Sequence, residues 1–149
     1  MKLISHRGNT TGPNPQQENH PNYIINTLHQ GYDVEIDVWY SKNKFMLGHD
    51  NPQYKFPFNL LLNFYTKLWI HCKNIEALIK FKNTDTLSNR LNYFWHEKDT
   101  VTLTSKNYIW AYPGNQPITN SIAVMPEINN DNTSQCIGIC SDYIKNYKK

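Results

Sequence analysis

Residues 32–40, YDVEIDVWY, carry the strongest fold signal in this chain. Three β-branched residues alternate with three acids over positions 33–38. A period of two places successive side chains on opposite faces of a β-strand, so the pattern predicts a strand with one aliphatic and one acidic face. The acidic face has two interpretations: a solvated outer surface, or a polar site built on a sheet.

The rest of the chain predicts many short strands and few helices. Strands are expected at 2–6, 33–39, 68–73, 92–97, 100–105, 108–113, 121–127 and 136–144, with a β-hairpin over 33–50. Helices are expected at 22–31, ending at Gly31, at 57–67, and at 74–83 with Asn74 as its N-cap. The second half shows turns and loops and no convincing amphipathic helix.

The alternation of strands and helices in the first half predicts a parallel sheet with both faces covered. A full (β/α)8 barrel takes ~250 residues, and this chain has 149. We therefore predict one α/β domain over residues 1–149: a compact, shortened (β/α)8 TIM-like barrel, with several helices reduced or missing in the second half.

Composition excludes several classes of protein. A hydrophobic share of 39% predicts a packed globular domain. The net charge of +3 is spread along the chain, and the basic C-terminal KNYKK is typical of a solvated tail, so no nucleic-acid partner is expected. Neither a signal peptide nor an apolar run of ~18 residues is seen, which predicts a cytoplasmic protein without membrane insertion. The three cysteines lack disulfide or zinc-site spacing and are expected to be reduced, buried thiols.

Polar residues recur where the predicted strands end. His6 and Arg7 close the first strand, and His71 and Lys73 close the strand at 68–73. In a parallel barrel these ends meet at one rim, where catalytic groups are found. Further residues at such positions are His49, His96, Glu127 and two aromatics, Trp110 and Tyr112, which either line a pocket or belong to the core.

These residue types together indicate one kind of chemistry. Two carboxylates such as Glu35 and Asp37 suit a hard divalent cation, Mg²⁺ or Ca²⁺. Two histidines near the ion can divide acid and base roles at neutral pH. An arginine and a lysine, here Arg7 and Lys73, offer cationic donors to a phosphate. The combination points to metal-assisted cleavage of a phosphodiester.

The segment ISHRG, followed by QQENHPNYIINTLHQGYDVEIDVWYSKNKFMLGHD, resembles the glycerophosphodiester phosphodiesterase family. That family's pattern is His-Arg-Gly, Pro-Glu-Asn-Thr, Glu-x-Asp and His-Asp. The matching positions are His6, Arg7 and Gly8; Glu18 and Asn19; Glu35 and Asp37; His49 and Asp50. The similarity covers residues 1–50 well and later residues less, although the closing GICSDYI resembles the family's last strand.

The resemblance implies a phospholipase-C-like TIM barrel of lipid metabolism that hydrolyses a glycerophosphodiester, or a similar small phosphodiester, to a phosphomonoester and an alcohol. It implies Glu35 and Asp37 as metal ligands and His6 and His49 as the acid/base pair. Attack by a neighbouring substrate hydroxyl would give a cyclic phosphate that water then opens.

Two of these residues, His71 and Arg7, have alternative roles. Lys73 aligns with the family's phosphate-facing lysine, but His71 stands where the family has a carboxylate ligand. It either ligates, which favours Mn²⁺ or Zn²⁺ over Ca²⁺, or stays outside the metal site. Arg7 either contacts the phosphate or forms an ion pair that holds Glu18 or Asp37.

Two other functions stay open from the sequence: a phosphodiester lyase that releases a cyclic phosphate, and an inactive barrel used as a binding module. A small soluble phosphodiester is the expected substrate, because no amphipathic basic helix is available to dock on a bilayer. The leaving alcohol, the resting metal and the oligomeric state are not assigned.

Overall fold

The computed structural model describes residues 1–84 and 89–148. The described residues contain ten strands: β1 (Lys2–His6), β2 (Asp33–Ser41), β3 (Lys44–Leu47), β4 (Tyr54–Lys55), β5 (Leu68–Cys72), β6 (Asn92–Trp95), β7 (Val101–Leu103), β8 (Ile109–Ala111), β9 (Ser121–Val124) and β10 (Gly138–Ser141). Their three α-helices are α1 (Pro21–His29), α2 (Phe58–Phe64) and α3 (Ile75–Lys82). Short 3-10 helices lie at Tyr65–Lys67, Pro126–Ile128 and Ile144–Tyr147.

All ten strands belong to one curled, mixed sheet. Seven of them run parallel in the order β6-β5-β2-β1-β10-β9-β8. The strand β7 pairs antiparallel with β8, and the β3–β4 hairpin extends antiparallel from the end of β2. The sheet is a half-barrel, so the C-terminal ends of its parallel strands surround a common space.

The predicted shortened (β/α)8 TIM-like barrel is therefore wrong. From β7 onward the described connections are turns, loops and 3-10 helices, with no α-helix after Lys82 among the described residues. A strand-crossover-strand unit of the barrel type needs a covering helix at each step. The later sequence lacks the apolar period of 3.6 that would form such helices, and one of its strands reverses direction instead.

Most of the predicted elements are confirmed within a few residues. The helix α1 ends at His29, and Gly31 follows with a φ of 94°, as the glycine stop predicts. The expected strand 121–127 ends at Val124 because Met125 adopts a left-handed backbone with a φ of 42° and Pro126 begins a 3-10 helix. The three cysteines are free and buried. No described helix has the length and apolarity needed to cross a bilayer.

The outer face of the sheet packs against the helices. The aliphatic residues of β2 join this core, together with the residues that α1 and α3 bury at helical spacing. Members of this outer core include Ile24, Leu28, Val34, Ile36, Val38, Ile70, Ala77 and Phe81. The apolar face of the strands therefore packs against the apolar faces of the helices, as a layered α/β core requires.

The inner face of the curl has its own core, which is rich in large aromatics. It consists of Ile4, Trp69, Phe94, Trp110, Ile122, Val124 and Cys140. The acids of β2 lie on this inner face, where Glu35 is 3% exposed and Asp37 is 0% exposed. The interpretation of the acidic face as a solvated surface is therefore wrong.

Asn74 joins the end of β2 to the start of α3. Its Oδ1 accepts from the backbone N–H groups of Tyr40 (3.0 Å) and Ala77 (3.3 Å), and its Nδ2 donates to the carbonyl of Tyr40 (2.9 Å). It is therefore both the helix N-cap that the sequence predicts and a bridge to the sheet.

We expect Asn74→Ala to lower the free energy of unfolding by about 2 kcal/mol, because one N-cap and two bonds to a strand backbone are lost together. Urea denaturation with an unchanged m-value measures this. The matched variant Asn63→Ala, at an exposed position of α2, is expected to change stability by less than ~0.5 kcal/mol. Equal effects of the two variants would contradict the bridging role.

Candidate active site

A cavity of about 400 Å³ opens at the C-terminal ends of the parallel strands. Six of the seven predicted site residues line it: His6, Arg7, Glu35, His49, His71 and Lys73. The seventh, Asp37, is fully buried beside the cavity and contacts three of those six. The structure thus gathers all seven residues around one space.

Strand register explains why these residues meet. His6 of β1 pairs with Glu35 of β2, and Asp37 of β2 pairs with His71 of β5. Side chains at paired positions of adjacent strands share a face. Because β2 lies between β1 and β5, its two acids are flanked by a histidine on each side.

Asp37 is the most heavily contacted side chain of the site. Asn19 binds it twice: Asn19 Nδ2 donates to Asp37 Oδ2, and the Asp37 N–H donates to Asn19 Oδ1, both at 2.9 Å. Arg7 Nε lies 2.9 Å from Oδ2, and Lys73 Nζ lies 3.6 Å from Oδ1. Burial acts to raise the pKa of Asp37, but the contact with His71 and the neighbouring cations outweigh it and hold this pKa below its usual range.

Glu35 is buried with less compensation. Its Oε1 lies 3.9 Å from His71 Nδ1, and its Oε2 lies 4.0 Å from His6 Nε2. Oε2 is buried and has no hydrogen-bond partner among the described residues. Burial, followed by the adjacent charge of Asp37, raises the pKa of Glu35. A carboxylate in this position is costly to ionise unless a cation faces it.

The hydrogen bonding of His71 fixes its tautomer. Its Nε2 lies 3.2 Å from the carbonyl oxygen of His96. Since a carbonyl oxygen can only accept, Nε2 carries a proton, and Nδ1 is the ring nitrogen whose lone pair can bind a cation. Nδ1 faces Asp37 Oδ1 at 3.1 Å and Glu35 Oε1 at 3.9 Å, so a cation bound between these atoms would meet two carboxylate oxygens and one ring nitrogen. A histidine that donates its other N–H to a backbone carbonyl is the usual arrangement for a metal ligand.

Glu35, Asp37 and His71 therefore form a group that could hold a metal ion. One ligand atom from each lies within 4.8 Å of the other two. Oε2 of Glu35 and Oδ1 of Asp37 are both buried and lack a hydrogen-bond partner among the described residues. A divalent cation bound here would neutralise both carboxylates and satisfy the histidine lone pair, so the donor set fits a cation with mixed oxygen and nitrogen ligands.

His6 is oriented by an acid that the sequence analysis did not assign. His6 Nδ1 donates to Asp142 Oδ1 at 2.8 Å, and Asn9 Nδ2 donates to the same oxygen at 2.8 Å. Burial opposes protonation of His6, but the hydrogen bond to Asp142 and the charge of Glu35 outweigh it and raise the pKa of His6. His6 Nε2 is left facing Glu35 at the cavity.

His49 reaches the same cavity from the turn after β3. Its side chain is 42% exposed, and its Nδ1 donates to Asp50 Oδ1 at 2.7 Å. Burial, followed by the charge of Arg7, lowers the pKa of His49. Both predicted catalytic histidines thus donate Nδ1–H to a carboxylate, which leaves Nε2 of each ring for proton transfer.

Arg7 adopts the ion-pair role that the sequence left as its alternative. Besides Asp37, its guanidinium contacts Glu18 through Nη1 at 3.2 Å. A contact between the remaining N–H groups of Arg7 and a phosphate stays a prediction. The same holds for a phosphate contact of Lys73, which lines the cavity just after β5.

Several site residues were missed or left without a role. Asn19 and Glu18 belong to the motif that resembles Pro-Glu-Asn-Thr, which could have identified them as supports of Asp37 and Arg7. The only sequence signal for Asp142 was the Ser-Asp pair at the end of the last predicted strand. His96, Trp110 and Tyr112 line the cavity, whereas Glu127 accepts from Ser141 and Tyr147 and is not among the lining residues.

No family model, curated protein or solved structure matches this chain. The function of the chain is therefore inferred from the geometry of the cavity and from the motifs themselves.

We expect Glu35→Gln to stabilise the protein in the presence of a chelator. The variant removes a buried, poorly compensated charge, so the free energy of unfolding at pH 8 should rise by about 1 kcal/mol. The raised pKa gives the same sign, because ionising Glu35 costs the folded state stability as the pH rises above 4.5. Glu76→Gln, at an exposed position of α3, serves as the control and should change stability by less than ~0.5 kcal/mol. Destabilisation by Glu35→Gln in chelator would contradict this account of the site.

Proposed function

We propose that this protein is a metal-dependent phosphodiesterase, which hydrolyses a glycerophosphodiester or a similar small phosphodiester to a phosphomonoester and an alcohol. The observation that carries the proposal is the convergence of Glu35, Asp37 and His71 at the cavity that His6 and His49 also line. The similarity to the motifs of glycerophosphodiester phosphodiesterases supports it, whereas the half-barrel departs from the barrel that this resemblance implies.

The donor set defines what the site would hold. Glu35, Asp37 and His71 would bind one divalent cation, which when bound supplies positive charge to a phosphate oxygen and to the developing alkoxide. One nitrogen among two carboxylate ligands favours Mn²⁺ or Zn²⁺ over Ca²⁺, and Mg²⁺ stays possible.

The chain's own residues account for the proton transfers. One of His6 and His49 takes the proton from the attacking hydroxyl, and the other protonates the leaving alkoxide through Nε2. Asp142 and Asp50 hold the two rings by their Nδ1–H groups and stabilise the imidazolium that forms. Lys73 lies at the cavity edge, where its ammonium can approach a phosphate oxygen.

Attack by a hydroxyl next to the phosphate would form a cyclic phosphate and break the bond to the leaving alcohol. Water would then open the ring, with the two histidines exchanging roles. A lyase would stop at the ring.

Substitution of either histidine tests the acid/base assignment. We expect His6→Ala and His49→Ala each to lower kcat by about 10²- to 10⁴-fold with Mn²⁺ and glycerophosphocholine, because each removes one proton-transfer group. His29→Ala, at the exposed end of α1, should leave kcat within about twofold. Unchanged turnover in His6→Ala would favour a binding module over an enzyme.

Metal dependence is tested by titration of the chelated protein with Mn²⁺ in a calorimeter. We expect one ion per chain for the wild type and a loss of at least tenfold in affinity for Glu35→Gln, Asp37→Asn and His71→Ala. Retained affinity in His71→Ala would place this histidine outside the metal site.

Product analysis separates hydrolysis from the lyase reaction. We expect ³¹P NMR of the reaction with glycerophosphocholine to show glycerol phosphate as the final product and a cyclic phosphate only as a transient. A cyclic phosphate that persists after substrate is exhausted would assign the lyase activity instead.

A further inference from the structure

The cavity has two walls of different chemistry. One carries the predicted site residues around Asp37. The other is built from four rings, Phe94 and His96 at the end of β6 and Trp110 and Tyr112 at the end of β8, and is called the ring wall here. The proposed function uses the first wall and gives the second no role.

The ring wall is formed by alternation on two strands. Phe94 and His96 are two residues apart, as are Trp110 and Tyr112, so each pair points into the curl. The ring centroids of Phe94 and Trp110 lie 4.8 Å apart, and those of His96 and Tyr112 lie 3.7 Å apart with an interplanar angle of 20°. The rings therefore meet in two layers across the gap between β6 and β8, a tilted pair with an interplanar angle of 36° and a stacked pair.

The wall is rigid at its base. Phe94 and Trp110 are each 2% exposed and pack in the inner core against neighbouring rings, including Trp69. Phe94 also stacks on His71 at 5.2 Å with an interplanar angle of 5°. Phe94 therefore connects the ring wall directly to His71 of the proposed metal site.

The wall offers ring surface and little charge. Phe94, Trp110 and Tyr112 are uncharged residues, and His96 contributes the face of its ring to the stack with Tyr112. A polyol arm needs several hydrogen-bonding partners, and these four ring residues offer few. Aromatic faces also attract cationic groups, so a quaternary ammonium arm is the competing ligand, which the comparison with phosphocholine below tests.

We infer that the ring wall is the subsite for one alcohol arm of the phosphodiester, and that it selects an arm carrying a planar aromatic group. Planar groups stack on aromatic side chains more favourably than saturated groups of equal size do. This inference rests on the proposed function, because it places the phosphate of the ligand at the charged wall.

Binding of phosphonates to the Mn²⁺-loaded protein tests the inference without any bond cleavage. Methyl-, cyclohexyl- and phenylphosphonate share one anionic head, and the last two have rings of similar size. We expect phenylphosphonate to bind about tenfold more tightly than methylphosphonate and about fivefold more tightly than cyclohexylphosphonate in calorimetric titrations.

The outcomes separate the two proposals. Equal affinities for the phenyl and cyclohexyl compounds, or tighter binding of phosphocholine than of phenylphosphonate, would overturn the aromatic subsite while leaving the phosphate site in place. Failure of all three phosphonates to bind would overturn the proposed function and the inference together.

Variants of Tyr112 locate the effect. We expect Tyr112→Ala to remove the advantage of phenylphosphonate over cyclohexylphosphonate while methylphosphonate affinity stays within about twofold, and Tyr112→Phe to keep the advantage. A parallel loss for all three compounds in Tyr112→Ala would contradict a stacking subsite. If Tyr112→Ala does not fold, the comparison of the three phosphonates on the wild-type protein decides the question.

Discussion

The carboxylate of Asp37 is the interaction on which the rest of the site depends. It is fully buried, and Asn19, Arg7, His71 and Lys73 all converge on it from separate parts of the chain. Both Arg7 and Asn19 hold left-handed backbones, with φ of 55° and 61°, and the Asn19 N–H donates to the Arg7 carbonyl at 3.1 Å. The buried charge of Asp37 thus fixes the loop after β1 against the sheet and places the Arg7 guanidinium beside the cavity.

The curl of the sheet separates two environments on its inner face. Below the cavity, large rings such as Trp69 fill the interior, and the first acid of β2, Asp33, accepts a hydrogen bond from Trp69 Nε1 at 3.1 Å. At the C-terminal ends the same face carries the histidines and acids of the cavity. Bulky rings below the site exclude water from beneath the carboxylates, which strengthens every charge interaction above them.

The sequence predicts those parts of the structure that are encoded locally. The alternation over 33–38 specifies which residues of β2 face inward, and Asn74 marks the start of α3 because an N-cap is a local hydrogen bond. The barrel prediction failed because closure depends on the connections between later strands, where short loops and a reversed strand replace helices. The pairing of His6 with Asp142, 136 residues apart, has no local signal. The sequence named three residues of the ring wall, His96, Trp110 and Tyr112, but it left the aromatics open between pocket and core, since an aromatic on a strand gives the same pattern in both.

The central claim is that Glu35, Asp37 and His71 are joint ligands of one divalent cation. The most direct measurement is the anomalous difference density of a crystal of this protein grown with Mn²⁺. The account predicts a single strong peak about 2.0–2.3 Å from a carboxylate oxygen of each acid and from Nδ1 of His71. A crystal in which His71 Nδ1 stays in direct contact with Asp37, with the ion bound elsewhere or not at all, would contradict it.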